Sequence, residues 1–152
     1  MMTKQQCFLD SNIWLYYILE NQSSTIQESE RKRSIAQALT DSENTIVSTQ
    51  VINEVCANAL KKAAFTEAQI KLLIQTFEAR CTVVAPNIEI LLKASDLRPL
   101  AGNSKRSRYH FSFWDGLIVA SALFANAEIL YSEDMQDGLI VKQRLTLINP
   151  FK

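Results

Sequence analysis

Short apolar runs alternate along the chain with longer stretches whose apolar residues recur every three or four positions. Cys7-Phe8-Leu9 falls in a first strand, about Gln6–Leu9, and Ile13, Leu15, Tyr16 and Leu19 mark a helix over about Asn12–Leu19. Past the polar loop 21–25, a second helix runs from Ile26 to Leu39, with Ile35, Ala36 and Leu39 as its buried end. Thr45–Ser48 is a second strand, followed by a helix over Thr49–Ala64 with Val51, Ile52, Val55 and Ala59 at helical spacing. Thr66 caps the next helix, whose stripe is Ile70, Leu73, Ile74 and Phe77. Thr82–Ala85 is a third strand ended by Pro86, and Asn87 caps a helix over Ile88–Leu97 that stops before Pro99. A polar basic loop, 101–109, precedes a long apolar helix from Ser112 to Asn126. A fourth strand over Glu128–Ser132, a turn-rich loop with Asp137-Gly138, and a last strand over Leu145–Ile148 complete the chain.

Strands alternating with helices predict an α/β layered fold around a central, mostly parallel sheet of about five strands. At 152 residues, with no repeat or linker, residues 1–152 read as one domain. A chain of this size buries about 70% of its unfolded surface and needs no covalent staples. The hydrophobic fraction of 47% excludes disorder. Formal net charge is zero, from 16 basic and 16 acidic residues, so nucleic-acid contact requires a local basic patch. Cys7, Cys56 and Cys81 have apolar or small neighbours and read as reduced and mostly buried. The chain shows no signal-peptide pattern and no apolar run near the ~20 residues of a membrane span, so a cytoplasmic protein is expected.

The candidate chemistry lies in four carboxylates at the strand-to-helix transitions. Asp10 follows Phe8-Leu9, Glu54 follows Val51-Ile52-Asn53, Asp115 follows Phe113-Trp114, and Asp134 follows Tyr131-Ser132-Glu133. Asp10 is equally placed to cap a helix. Ser112-Phe113-Trp114-Asp115 resembles a capping box. Asp134 and Asp137 suit an ordinary loop. Glu54 is harder to explain locally: it lies one turn into an apolar helix with no cation three or four residues away. In such sheets, sites form outside the carboxyl ends of the strands. Four carboxylates gathered there require a cation, and an all-oxygen set suits Mg²⁺ or Mn²⁺. His110 is the only histidine, which excludes a multi-histidine zinc site and two-histidine acid–base chemistry.

Phe8-Leu9-Asp10-Ser11-Asn12, Ile52-Asn53-Glu54-Val55, Phe113-Trp114-Asp115-Gly116-Leu117-Ile118 and the segment from Leu130 to Gly138 resemble the PIN domain, most closely ribonuclease toxins of the VapC type. The resemblance extends to the closing Ile148-Asn149-Pro150-Phe151. It implies a three-layer α/β/α domain and metal-dependent cleavage of single-stranded RNA. Asp10, Glu54 and Asp115 would hold one or two Mg²⁺ or Mn²⁺ ions. The fourth acid falls on Asp134, with Asp137 a second candidate, and Asn12 and Ser132 match polar supporting positions. The resemblance also implies a cognate antitoxin and a homodimer, with no membrane association.

Lys105, Arg106 and Arg108 offer cations for an RNA backbone and Tyr109 a ring for an unpaired base; a solvated loop is the plain alternative. Phe111, Phe113 and Trp114 are expected in a core or an interface. Trp14, Tyr17 and Ile18 suit either an apolar partner groove, a homodimer contact or the core. Two other functions are compatible with acids at strand ends. One is a catalytically silent PIN-like module that binds RNA or protein. The other is a metal-dependent phosphoesterase or phosphoreceiver-like domain, for which Lys142 is poorly placed as the accompanying lysine.

Overall fold

The computed structural model describes residues 5–20, 23–98 and 109–152. The first strand, β1 (Cys7–Leu9), leads into α1 (Ser11–Ile18) and α2 (Ile26–Thr40). Next come β2 (Thr45–Ser48), α3 (Thr49–Ala63), α4 (Glu67–Arg80) and β3 (Thr82–Val84). The chain continues through α5 (Ile88–Leu97), α6 (Phe113–Phe124), β4 (Ile129–Tyr131), β5 (Ile140–Val141) and β6 (Leu145–Ile148). The expected elements are present, with ends shifted by a residue or two.

The strands form one sheet in the order β3-β2-β1-β4-β6-β5. All neighbouring pairs are parallel except β5–β6. The described sheet therefore has six strands, where about five were expected. The additional strand is β5, only two residues long. That is too short to show an alternating pattern; only the turn chemistry of Asp137-Gly138 marks its neighbourhood.

From β1 the chain steps outward to β2 and β3, then returns across β1 to β4. Right-handed crossovers place α1–α4 on one face and the returning α5 and α6 on the other. The element contacts agree: α1 packs on α2 and α3, α3 packs on α4, and α5 packs on α6. The reversal lies between β1 and β4, the crevice position where open α/β sheets bind ligands. Phe8, Leu9, Ile46, Val47 and Leu130 of these central strands are fully buried, as a sheet covered on both faces demands. α6 is buried at every residue from Gly116 to Leu123, which explains its unbroken apolar sequence.

The helix starts follow their caps. Thr66 and Gln69 close a reciprocal capping box at α4, Asn87 accepts the Ile90 N–H at α5, and Ser48 accepts the Val51 N–H at α3. Trp14 is core: its indole N–H donates to the Leu9 carbonyl at 3.3 Å, and its ring meets Phe77 edge-on at 4.8 Å. Tyr17 and Ile18 are half-buried and border a small groove between α1 and α4. All three cysteines are free thiols; Cys56 is buried, and Cys7 and Cys81 are partly so. No helix among the described residues is long and apolar enough to cross a membrane.

The β5–β6 hairpin turns on Lys142 and Gln143, both left-handed at φ 53° and 57°. The turn is closed by the Arg144 N–H donating to the Val141 carbonyl at 3.1 Å. A two-residue turn with positive φ at both positions favours Asn-Gly. Replacing Lys142-Gln143 by Asn-Gly should therefore raise stability by about 1 kcal/mol, read as a higher denaturation midpoint at unchanged m-value.

Candidate active site

Asp10 stands immediately past β1 and is 4% exposed. Its backbone N–H continues the ladder to the Tyr131 carbonyl at 3.0 Å, which holds the carboxylate beside the end of β4. One carboxylate oxygen accepts the Ser11 N–H at 2.7 Å, and the other accepts the Ser132 hydroxyl at 2.8 Å. The helix-cap reading of Asp10 holds: its carboxylate caps α1, and the residue stands at the switch point of the sheet. Burial is the largest influence on its acidity, and the Glu54 and Asp115 charges add to it. Hydrogen bonds from Ser132 and Ser11 oppose them, and the net result is a pKa pushed up from 3.8 to about 6.

Glu54 comes from the second turn of α3, which starts at the carboxyl end of β2. It is half-buried, and the Gln50 amide donates to it at 3.2 Å. Asp115 comes from the first turn of α6, where the Ser112 hydroxyl accepts its backbone N–H at 3.2 Å. Because α6 runs back toward the start of β4, its own start lies at the same sheet edge as Asp10. Burial raises the Asp115 pKa, a Ser112 hydrogen bond lowers it, and the Asp134 and Glu54 charges raise it again. Asp134 is exposed, and its carboxylate accepts the Asn12 amide at 3.1 Å.

The Glu54 and Asp115 charges thus act on Asp10, and the Asp134 and Glu54 charges act on Asp115, so the four acids share one sheet edge. Among the described residues, none of the four forms an ion pair with Lys or Arg. Also among these residues, no three acidic, histidine or cysteine side chains stand close enough to form a closed ligand set. The donor chemistry nevertheless fits a hard divalent cation: the donors are oxygens, and Asp10 uses two of its roughly four lone-pair positions.

Asn12 and Ser132, expected as supporting residues, lie at this edge. The Asn12 side chain donates to Asp134 and accepts the Glu133 N–H at 3.4 Å, while the Ser132 hydroxyl also accepts the Asp134 N–H at 3.3 Å. Glu133 points elsewhere, to Lys32 at 2.7 Å and the Tyr16 hydroxyl. Asp137 accepts the Asn149 N–H at 2.8 Å and so ties its loop to the end of β6. Lys105, Arg106 and Arg108 lie outside the described residues. Tyr109 is described: its ring stacks on Phe111 at 5.7 Å, and its hydroxyl accepts the Lys142 N–H. Phe111 is buried as expected, whereas Phe113 and Trp114 are 58% and 61% exposed and do not belong to the core.

Gln50 was not singled out from the sequence. Its amide donates to Glu54 and to the Trp114 carbonyl at 3.4 Å, spanning α3 and the start of α6. The available signal was its place one helical turn before Glu54.

The PIN domain family model matches residues 7–136, most of the chain, and the protein belongs to that family. Similar solved structures share its fold. A toxin–antitoxin complex from Klebsiella pneumoniae is 17% identical, with TM-score 0.60, and the match covers 95% of this chain and 98% of that one. VapBC2 from Rickettsia felis, bound to a DNA fragment from its promoter, is 17% identical, with TM-score 0.58 and coverage of 94% and 97%. Mycobacterium tuberculosis VapC20, a sarcin–ricin loop cleaving toxin, is 10% identical, with TM-score 0.55 and coverage of 82% and 87%. No curated protein matches the chain.

The raised pKa of Asp10 has a definite sign for stability. A carboxyl with a higher pKa folded than unfolded stabilises the fold while protonated, below about pH 4, and that contribution is lost as pH rises to about 6. In the absence of metal, the stability difference between wild type and Asp10→Asn should shift by about 2 kcal/mol toward the variant between pH 4 and pH 7. Chemical denaturation of both proteins across that range measures it.

Proposed function

We propose that this PIN-domain protein is a divalent-metal-dependent endoribonuclease that cleaves single-stranded RNA and serves as the toxin of a toxin–antitoxin pair. The observation that carries the reading is the buried Asp10 carboxylate at the β1–β4 reversal, facing Glu54 and Asp115 with no described cation to offset it. Such a buried charge is retained at a cost in stability, which points to use of the site.

Asp10, Glu54, Asp115 and Asp134 would hold one or two Mg²⁺ or Mn²⁺ ions. Asp137 is the less favoured fourth acid, because it is tied to the end of β6 through the Asn149 N–H, whereas Asp134 is the acid whose charge acts on Asp115. The bound ion would supply a lowered water pKa and neutralise charge developing on the phosphate. The chain's own residues fix the acids. Ser132 and Ser11 set the orientation of Asp10, Asn12 steers Asp134, and Gln50 holds Glu54. Lys105, Arg106 and Arg108, with Tyr109 beside them, are assigned to RNA. Restraint by an antitoxin in the cytoplasm and pairing as a homodimer follow from the same toxin reading. A catalytically silent module is less favoured because acids stand at all four motif positions, Asp10, Glu54, Asp115 and Asp134.

Purified protein should cleave a single-stranded RNA with Mg²⁺ or Mn²⁺ and stop when EDTA is added. Asp115→Asn should lose at least about 100-fold in rate, and Ser132→Ala about 10- to 100-fold, the range seen when a metal ligand loses its supporting partner. Metal-independent cleavage, or full activity of Asp115→Asn, would overturn the assignment. Expression of the wild type alone should arrest growth, while the Asp115→Asn variant should not.

A further inference from the structure

A groove of about 470 Å³ runs beside the acids, bounded by Thr49, Gln50, Asn53 and Glu54 of α3 and by Trp114 and Leu117 of α6. Glu54 belongs to both the groove and the candidate acidic site, so the two adjoin. The wall opposite α3 is the indole of Trp114, 61% exposed and one residue before Asp115. An exposed tryptophan is ordinarily free to change rotamer, but this one is braced. Phe113 meets it edge-on with centroids 5.0 Å apart. The Arg98 guanidinium covers Phe113 at 3.9 Å from the ring centroid and donates to the Phe113 carbonyl at 3.1 Å. Arg98 crosses the first turn of α6 over Gly116, where an added Cβ would stand 3.1 Å from its side chain. On the inner side, the Gln50 amide holds the Trp114 carbonyl.

We propose that Trp114 is a stacking platform for one unpaired base next to the scissile phosphate, and that Asn53 and Thr49 face the edge of that base. The proposal rests on the ribonuclease reading and deepens it by naming a substrate-reading subsite. The groove volume lies within the range of roughly 300–1,000 Å³ typical of small-molecule sites. Its described lining contains two amides, a hydroxyl and a carboxylate but no Lys or Arg, which suits a neutral base and not a phosphate or an acidic peptide. A braced aromatic face accepts any base by stacking, and neighbouring polar groups then discriminate among bases.

The test uses wild type, Trp114→Ala and Trp114→Phe with RNA oligonucleotides that differ only by an abasic site at single positions flanking the cleaved bond. In wild type, removing the base at one position should raise KM about 10-fold, within the range measured for base–aromatic stacking. Trp114→Ala should show a comparable rise with intact RNA, lose the discrimination against abasic RNA, and keep kcat. Trp114→Phe should retain most of the discrimination, which separates the ring from any general effect on folding. If wild-type RNA cleavage is real but Trp114→Ala still discriminates as wild type does, the platform is wrong and the nuclease reading stands. If Trp114→Ala instead changes the sedimentation coefficient with discrimination intact, the indole is a contact between copies and the platform is likewise overturned. If wild type neither binds nor cleaves single-stranded RNA, both readings fall together.

Discussion

The rest of this structure is arranged around one buried carboxylate. Asp10 sits where the chain reverses its direction of travel across the sheet, in a place that desolvation makes costly for a charge. Two hydrogen bonds, from Ser132 and Ser11, keep it oriented but do not outweigh burial. The neighbouring elements bring the Glu54 and Asp115 charges, and among the described residues no Lys or Arg forms an ion pair with Asp10. A fold selected only for stability would replace Asp10 with an apolar residue or pair it with Lys or Arg. Its fixed orientation and the Glu54 and Asp115 charges that act on it make this corner the candidate site.

Much of this was legible before any coordinates. Asp10 and Asp115 announce themselves because a strand ends, or a buried helix begins, at an acid. Glu54 is conspicuous because its helix face is otherwise apolar. The central strands were readable from short apolar runs and the helix starts from Thr66, Asn87 and Ser112. Other features depend on distance and not on residue type. Nothing local separates Glu133, Asp134 and Asp137. Their three roles arise because Lys32 claims Glu133, Asn149 claims Asp137, and Asn12 turns to Asp134. The two-residue β5 was missed because it exists only as the partner of β6.

Phe113 and Trp114 show the same limit in the other direction. Large aromatics ahead of a buried helix suggest a core or an interface; α6 buries Gly116 through Leu123 and leaves its first residues at the sheet edge, which excludes the core. Their exposure follows from where the helix starts. Arg98, far away in the sequence pattern, turns that exposure into a braced surface through Phe113. The sheet edge thus sets an acidic corner beside an exposed aromatic one. Gln50 joins them, since one amide reaches both Glu54 and the Trp114 carbonyl.

The central claim is that Asp10 and the acids facing it are a divalent-cation site. Diffraction from crystals soaked in Mn²⁺, recorded at a wavelength where manganese scatters anomalously, tests it without reference to any substrate. The account predicts an anomalous peak at ligand distance from the Asp10 carboxylate and from at least one of Glu54, Asp115 and Asp134, absent in Asp10→Asn crystals. Full manganese occupancy elsewhere, with no peak at Asp10, would contradict it.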